Sequence, residues 1–366
     1  MIFSVERNVF LEAVTKLSRI VSSKTAYPEL EGILISAEQG KITLIAYNLE
    51  MSMQKEIYAR TEEDGDIVLS ARILGDIFKR LNGPTVQIST DDKNICHISC
   101  SSAVFDIPGM DAMNYPETPT FADGKEFSLK GETLFDMTEG TSFAVAPIEG
   151  TRPVLMGINI SLNEQNLKFV AIDGYRLAIR QTKIDNSGEF NFIIPGTMLN
   201  EVVRLISDKE QDVPISVGER MISFNIDGYK VICRLIEGEF VNYQRTIPAS
   251  YNQKIVVMVR DILSIFDRIS LLISDSFSTP VRCILNEEHI NFSCSTAVGK
   301  VNETYEVDLE GEPFEIGLSS RYLTEALKAI EDDMIQITFD SSKQGVVIKP
   351  LQGDDYMYMI MPMRLK

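Results

Sequence analysis

The chain has 366 residues, 44% hydrophobic and 24% charged, which supplies apolar cores for two or three packed domains and excludes a disordered chain. Lys and Arg number 35 against 53 Asp and Glu, a formal charge of −18, which argues against a surface coated for nucleic acid and fits a self-repelling soluble protein. Glu6 breaks the opening MIFSVERN before any apolar run, no stretch is long enough to span a membrane, and five Cys form no regular framework, so a cytoplasmic protein with reduced thiols and no membrane contact is expected.

In chain order, Val9, Phe10, Ala13, Val14, Leu17, Ile20 and Val21 form one apolar stripe, with Glu12, Lys16 and Arg19 on another face, so the first element reads as a helix. A Pro-led strand follows at Pro28-Glu-Leu-Glu-Gly-Ile-Leu-Ile, then a strand at Lys41–Ala46. Another strand, Ile67-Val-Leu-Ser-Ala-Arg, leads into a helix carrying Leu74, Ile77, Phe78 and Leu81. The same order returns with a helix at about 132–142, weakened by Gly140, then Pro153-Val-Leu-Met-Gly-Ile-Asn-Ile and Leu167–Ile172. Phe192-Ile-Ile-Pro-Gly-Thr and a helix with Leu199, Val202, Val203 and Ile206 continue it. Asn225-Ile-Asp-Gly-Tyr-Lys carries an Asp-Gly hairpin signal. A third round has a helix with Ile262, Leu263, Phe266 and Ile269, strands at Pro280-Val-Arg-Cys-Ile-Leu, His289–Cys294 and Ile316–Arg321, and a helix with Leu323, Ala326, Leu327 and Ile330.

The three prolines stand 125 and 127 residues apart, and Leu69, Ile194 and Leu318 stand 125 and 124 apart. Two independent marks at one period define a repeat, and the period is far longer than that of a solenoid. The expected fold is α+β: three homologous domains, 1–124, 125–248 and 249–366, each two helices packed on antiparallel sheets. Helix followed by strands is the half-unit, and it occurs six times.

Motifs for chemistry are missing. There is no phosphate-binding GxxxxGK[ST] loop and no HExxH. On a strand, Cys96 and Cys100 face away from His97, so they do not converge on a metal. Cys233, Cys283 and Cys294 lie in apolar strand contexts and read as core. Asp332-Asp333 reads as a solvated helix end. No catalytic residue, metal or cofactor is expected.

Three features remain. Met357, Met359, Met361 and Met363 alternate near the C-terminus and share one face of an extended chain. That face is either a terminal core strand or an adaptable surface for several partners. Asp173-Gly174-Tyr175-Arg176-Leu177 reads either as a hairpin turn with a solvated Arg or as a bend presenting Tyr175 and Arg176 at a rim. Glu237–Pro248 closes the second domain, as Ile107–Pro116 closes the first.

Across its whole length the chain resembles the bacterial DNA polymerase III β subunit, the replicative sliding clamp family. The resemblance is carried by Val5-Glu-Arg7, Thr151-Arg-Pro-Val-Leu-Met-Gly157, Ala171-Ile-Asp-Gly-Tyr-Arg-Leu177, Gly238-Glu-Phe-Val-Asn-Tyr-Gln-Arg-Thr-Ile-Pro248 and Met361-Pro-Met-Arg-Leu365, in this order and on the threefold repeat. It implies the DNA clamp fold, a ring-forming head-to-tail homodimer around duplex DNA, and no chemistry of its own. The ring would confer processivity on the replicative polymerase. The partners implied are sequence-independent double-stranded DNA, the DNA polymerase III α subunit, a clamp loader, and other polymerases and repair proteins carrying short clamp-binding peptides.

The resemblance assigns a peptide pocket to Leu155, Ile172, Gly174, Tyr175, Arg176, Leu177, Val241, Arg245, Thr246, Met361, Pro362, Met363, Arg364 and Leu365. Ile172, Val241 and Thr246 depart from the Thr, Pro and Val that members often carry, and Lys366 extends past the usual terminal Leu. It places Phe105 and Ile107 against Leu272 and Ile273 at the dimer contact. Its DNA-facing positions are Lys24, Arg152, Arg19, Arg72, Lys79, Arg80 and Arg204, with Lys16, Arg268, Arg321 and Lys328 on similar helix faces. The alternative is a repeat-built protein-binding scaffold that encircles no DNA.

The three domains carry −7, −4 and −7. For a ring the total is the wrong quantity, because only the lining meets the duplex. An acidic exterior discourages outside binding while inner cations keep weak, salt-sensitive contact.

Overall fold

One run of elements occurs three times in the computed structural model, which describes residues 1–22, 25–121, 123–147, 152–274 and 279–365, apart from the side chains of Asn186 and Ser187. The first repeat contains β1 (Ile2–Glu6), α1 (Arg7–Leu17), β2 (Gly32–Glu38), β3 (Lys41–Tyr47), β4 (Met51–Tyr58), β5 (Arg60–Glu63), β6 (Gly65–Ser70), α2 (Ala71–Arg80), β7 (Thr85–Thr90), β8 (Ile95–Cys100) and β9 (Ala103–Pro108). The second contains β10 (Lys125–Lys130), α3 (Gly131–Ser142), β11 (Gly157–Ile172), β12 (Arg176–Pro195), α4 (Gly196–Val203), β13 (Asp212–Val217), β14 (Met221–Ile226) and β15 (Tyr229–Arg234). The third contains β16 (Gln253–Met258), α5 (Val259–Ser270), β17 (Val281–Leu285), β18 (His289–Ser295), β19 (Lys300–Glu306), β20 (Phe314–Leu318), α6 (Ser320–Lys328), β21 (Met334–Phe339), β22 (Val346–Pro350) and β23 (Tyr356–Ile360).

These elements form two compact units, residues 1–132 with 201–235, and residues 133–200 with 236–366. In the first unit, one sheet runs β5-β1-β7-β8-β9 and a second runs β10-β13-β14-β15-β4-β3-β2-β6. Phe10 of α1 stacks on Phe78 of α2, ring centroids 4.5 Å apart, and both rings are fully buried. In the second unit the sheets run β11-β12-β23-β22-β21-β16 and β19-β18-β17-β20. There Ser270 at the end of α5 and Ser320 at the start of α6 share a hydrogen bond of 2.6 Å.

Three expectations need correction. The sheets are not private to one repeat, because β15 pairs with β4, and β12 with β23, so each junction closes a continuous antiparallel ladder. Pro28 and Pro153 open 3₁₀ turns, Pro28–Glu31 and Pro153–Met156, ahead of their strands, and only Pro280 abuts its strand directly. A proline at the first helical position has its φ preset and lacks only an N–H that would be unbonded anyway. Val9 is exposed, since the buried face of α1 is Phe10, Ala13, Val14 and Leu17. The Asp-Gly signal is a two-residue hairpin loop between β14 and β15, with Asp227 at φ 50° and Gly228 at φ 74°.

Hydrogen-bonded register aligns the repeats residue by residue. Passing from β1, β10 and β16 across each ladder brings Phe105, Val231 and Tyr358 to one shared position. Leu44, Phe169 and Phe292 share another, so their partners Lys55, Arg180 and Glu303 correspond.

Candidate functional site

Residues 173–175 form a tight turn joining β11 to β12. Asp173 Oδ1 accepts from the backbone N–H groups of Tyr175 (2.8 Å) and Arg176 (2.9 Å), and Gly174 sits at φ 91°, which favours glycine. Tyr175 projects outward and its ring stacks on Tyr322 of α6. Arg176 is buried, not solvated. Its Nε donates to Asp173 Oδ2 (2.9 Å), its NH1 group donates to Glu325, and its guanidinium lies 4.6 Å from the centre of the Tyr322 ring. Burial pushes the Glu325 carboxyl up, but hydrogen bonds from Arg176 and Arg321 outweigh this and hold it below its ordinary value.

Beside this turn the chain builds an apolar floor. Ile172, Leu177, Ile179, Val347 and Met359 are buried together, and Leu155, Val241, Tyr243 and Met361 pack on them half-buried. A cavity of about 640 Å³ opens over the floor, lined by Ile172, Gly174, Arg176, Arg245, Thr246 and Met361. Lys343, Gln344 and Gly345, in the turn between β21 and β22, complete its wall. Sequence reasoning missed these three, because nothing in a turn's composition says which strand ends it faces. A Cβ at Gly345 would lie 2.6 Å from the Met359 sulfur, so a larger residue there would push that side chain out of the floor.

The methionine stripe keeps one face through Met357, Met359 and Met361, which all belong to this cluster. It ends at Pro362, which has no N–H for a ladder. The Met361 N–H donates to Tyr175 O (2.7 Å), and the Met363 N–H donates to Gly317 O (2.8 Å), so the tail crosses to β20. Gly317 admits it, because a Cβ would meet Met363 O at 2.6 Å and Leu365 Cδ2 at 2.9 Å. Arg364 is exposed and Leu365 half-buried, while Lys366 lies outside the described residues.

The other expected positions are dispersed. Phe105 and Ile107 lie on β9, the edge of its sheet, while Leu272 and Ile273 follow α5. Arg19 donates to Glu201 (2.6 Å), which also takes Arg204. Arg80 pairs with Asp76, Arg72 and Lys79 are exposed on α2, and Arg152 is exposed ahead of a 3₁₀ turn. Lys24 lies outside the described residues. Among the described residues, no group of His, Cys, Asp and Glu is placed to hold a metal, and no helix is long and apolar enough to cross a membrane.

Family models of the DNA polymerase III beta subunit match in order along the chain: the N-terminal domain over residues 1–119, the central domain over 128–242 and the C-terminal domain over 244–364. The chain belongs to the DNA polymerase III beta subunit family. The beta sliding clamp of Staphylococcus epidermidis is 29% identical, covering 100% of this chain and 99% of that protein. The crystal structure of the Bacillus subtilis DNA polymerase sliding clamp superposes with a TM-score of 0.94 at 28% identity, and that of the Streptococcus pneumoniae DNA polymerase III beta chain with 0.93 at 27%, each covering 100% of both chains. The threefold α+β repeat is therefore the clamp fold. The function of the family is that of a DNA sliding clamp, a non-catalytic processivity factor of DNA polymerase III.

Proposed function

We propose that this clamp works as a head-to-tail homodimer of three repeats per chain, 1–124, 125–248 and 249–366, closed around duplex DNA. The supporting observation is the burial of corresponding strand positions. Val231, Ile232 and Cys233 on β15 are 0%, 5% and 0% exposed beside β4, and Tyr358, Met359 and Ile360 on β23 are 0%, 2% and 1% exposed beside β12. On β9 the corresponding residues are Phe105, Asp106 and Ile107, and none of them is buried. Phe105 is 36% exposed and its neighbour Val104 is 68% exposed, on an edge strand. Apolar residues on a long open edge favour strand addition, and a second copy supplies the complementary edge, β19, with Leu272 packed beside Gly299 at its start and Ile273 next in the chain.

The cavity beside Tyr175 and the tail then docks short peptides from the replicative polymerase, the clamp loader and repair proteins. Its Met and Leu floor adapts to different apolar side chains, and Arg245 and Lys343 frame the mouth. Arg19, Arg72, Lys79, Arg80, Arg152, Arg204 and Lys24 are the proposed DNA-facing cations. Several are held by acidic neighbours, and exposed pairs of this kind are worth only about 0–1 kcal/mol, so they exchange readily for phosphate.

The test is retention on DNA. After loading onto a nicked circle by a clamp loader, the protein should co-elute with the DNA in gel filtration and be lost when the circle is cut once. Retention after linearisation would mean ordinary site binding.

A further inference from the structure

The two ladders that join repeats carry the same device at the same position. In the first unit, Tyr229 of β15 stands opposite Lys55 of β4, and the Lys55 Nζ lies 4.5 Å from the centre of the Tyr229 ring. Lys16 of α1 adds a second cation 5.0 Å from that ring. In the second unit, Tyr356 of β23 stands opposite Arg180 of β12, and the Arg180 guanidinium lies 5.5 Å from the Tyr356 ring. The register argument makes Tyr229 and Tyr356 equivalent, and likewise Lys55 and Arg180. Each junction is thus closed by a buried tyrosine ring holding a cation from the facing strand, an attraction that strengthens as the pair is desolvated.

The third member of each set sits on the open edges. Counting along β9 puts Ala103 at the tyrosine position, and counting along β19 puts Glu303 at the cation position. Arg268 of α5, which corresponds to Lys16, is already taken by Glu303 (Nε to Oε1 2.6 Å). The side chains that close the two inner ladders are therefore absent from the outer one, and an ion pair internal to one chain stands in their place.

Resting on the dimer reading above, in which β9 of one copy pairs antiparallel with β19 of the next in the register of the inner ladders, we infer that this seam is weaker than the two inner ones because Ala103 and Glu303 replace the tyrosine–cation contact. The register sets Phe105 opposite Val301 and Asp106 opposite Lys300. The second pair is charge-complementary, although no part of the register was chosen for charge. Asp106 already takes His97 on its own sheet (Nδ1 to Oδ1 2.6 Å), and its side chain is 61% exposed, so it can face a further cation.

The experiment uses the full chain and has three arms. First, native mass spectrometry and sedimentation of the unaltered chain should give a dimer. A monomer at every concentration would overturn the dimer reading and the inference with it. Second, Asp106→Lys and Lys300→Asp chains should each dissociate at higher concentration than the unaltered chain. When mixed, they should form a heterodimer in which one seam is native and the other has its two charges exchanged, restoring the dimer. A dimer in the first arm without this rescue overturns the register alone. Third, the Ala103→Tyr, Glu303→Lys double variant should exchange subunits about tenfold more slowly in a fluorescence-transfer assay, since both seams gain the contact. Exchange as fast as or faster than that of the unaltered chain, with rescue intact, overturns the account of the weak seam. Far-ultraviolet circular dichroism of each variant excludes misfolding as the cause.

Discussion

Glu325 shows how much of the site depends on a single charged contact. Its folded carboxyl is held below the ordinary value because Arg176 and Arg321 donate to it, despite burial. Such a group contributes in full above its unfolded pKa, near 4.5, and the contribution is lost as pH falls through the lower folded value. Glu325→Gln is therefore expected to cost about 1–2 kcal/mol at pH 7. The gap from the unaltered chain should close progressively below about pH 4.5, as read from urea midpoints across pH. Gly140 gives a second residue-scale case, in which the sign is not obvious. Glycine to alanine inside a helix ordinarily stabilises by about 1 kcal/mol. Here a Cβ would lie 2.7 Å from Arg180 Cγ, and the Arg180 Nε is already buried with no partner. Displacing that side chain from Tyr356 outweighs the helix gain, so Gly140→Ala should lower the urea midpoint. A higher midpoint would show that Arg180 can move aside. Neither partner of Arg176 was legible in sequence. Asp173 looked like turn punctuation, and Glu325 lies 149 residues away on a helix face where an acid usually means solvent.

At the scale of elements, the helices and the Asp-Gly hairpin were legible because each is specified locally, by a 3.6-residue apolar stripe or by a two-residue loop. The 3₁₀ turns at Pro28 and Pro153 have no signature in sequence, because a single turn leaves no periodicity to detect. The merging of sheets was invisible for another reason: β4 and β15 are far apart in sequence, and an edge strand looks like a central one until its partner is known. The C-terminal tail joins these levels. It is held through Met361 to Tyr175 and through Met363 to Gly317, so it ties the turn before β12 to β20 while also forming part of the cavity wall. Deleting residues 361–366 removes this wall but leaves β23 and its ladder to β12 intact. The truncated chain should remain dimeric in sedimentation, yet lose at least about tenfold in affinity for a clamp-binding peptide in fluorescence polarisation. Unchanged peptide affinity would move the docking site elsewhere.

For the whole molecule, the charge of −18 is informative only once it is distributed over the repeats. All three are acidic, so long-range attraction to DNA is weak, and Lys16, Arg19, Arg80, Arg204 and Arg268, on or just past the helices, are paired with Asp or Glu. A protein held by phosphate contacts would need many such cations, and its affinity would fall by about 10³–10⁵ between 50 and 200 mM salt if it made six to ten contacts. A closed ring on a circle has a much weaker dependence, since its exit waits on the opening of a seam made chiefly of strand pairing and apolar contact, with the exposed Asp106–Lys300 pair as its one salt-screened charge contact. Residence on nicked circular DNA, followed by fluorescence after a chase of competitor DNA, should therefore change by less than about tenfold over that salt range, with phosphate contacts contributing only to drag. On linear DNA the same protein should leave rapidly at either salt, because the ends are open. A steep salt dependence on the circle would place retention in the phosphate contacts and would count against encirclement. Slower exchange in the Ala103→Tyr, Glu303→Lys variant should lengthen residence on the circle and leave loss from linear DNA unchanged, which separates exit through the seam from exit over an end.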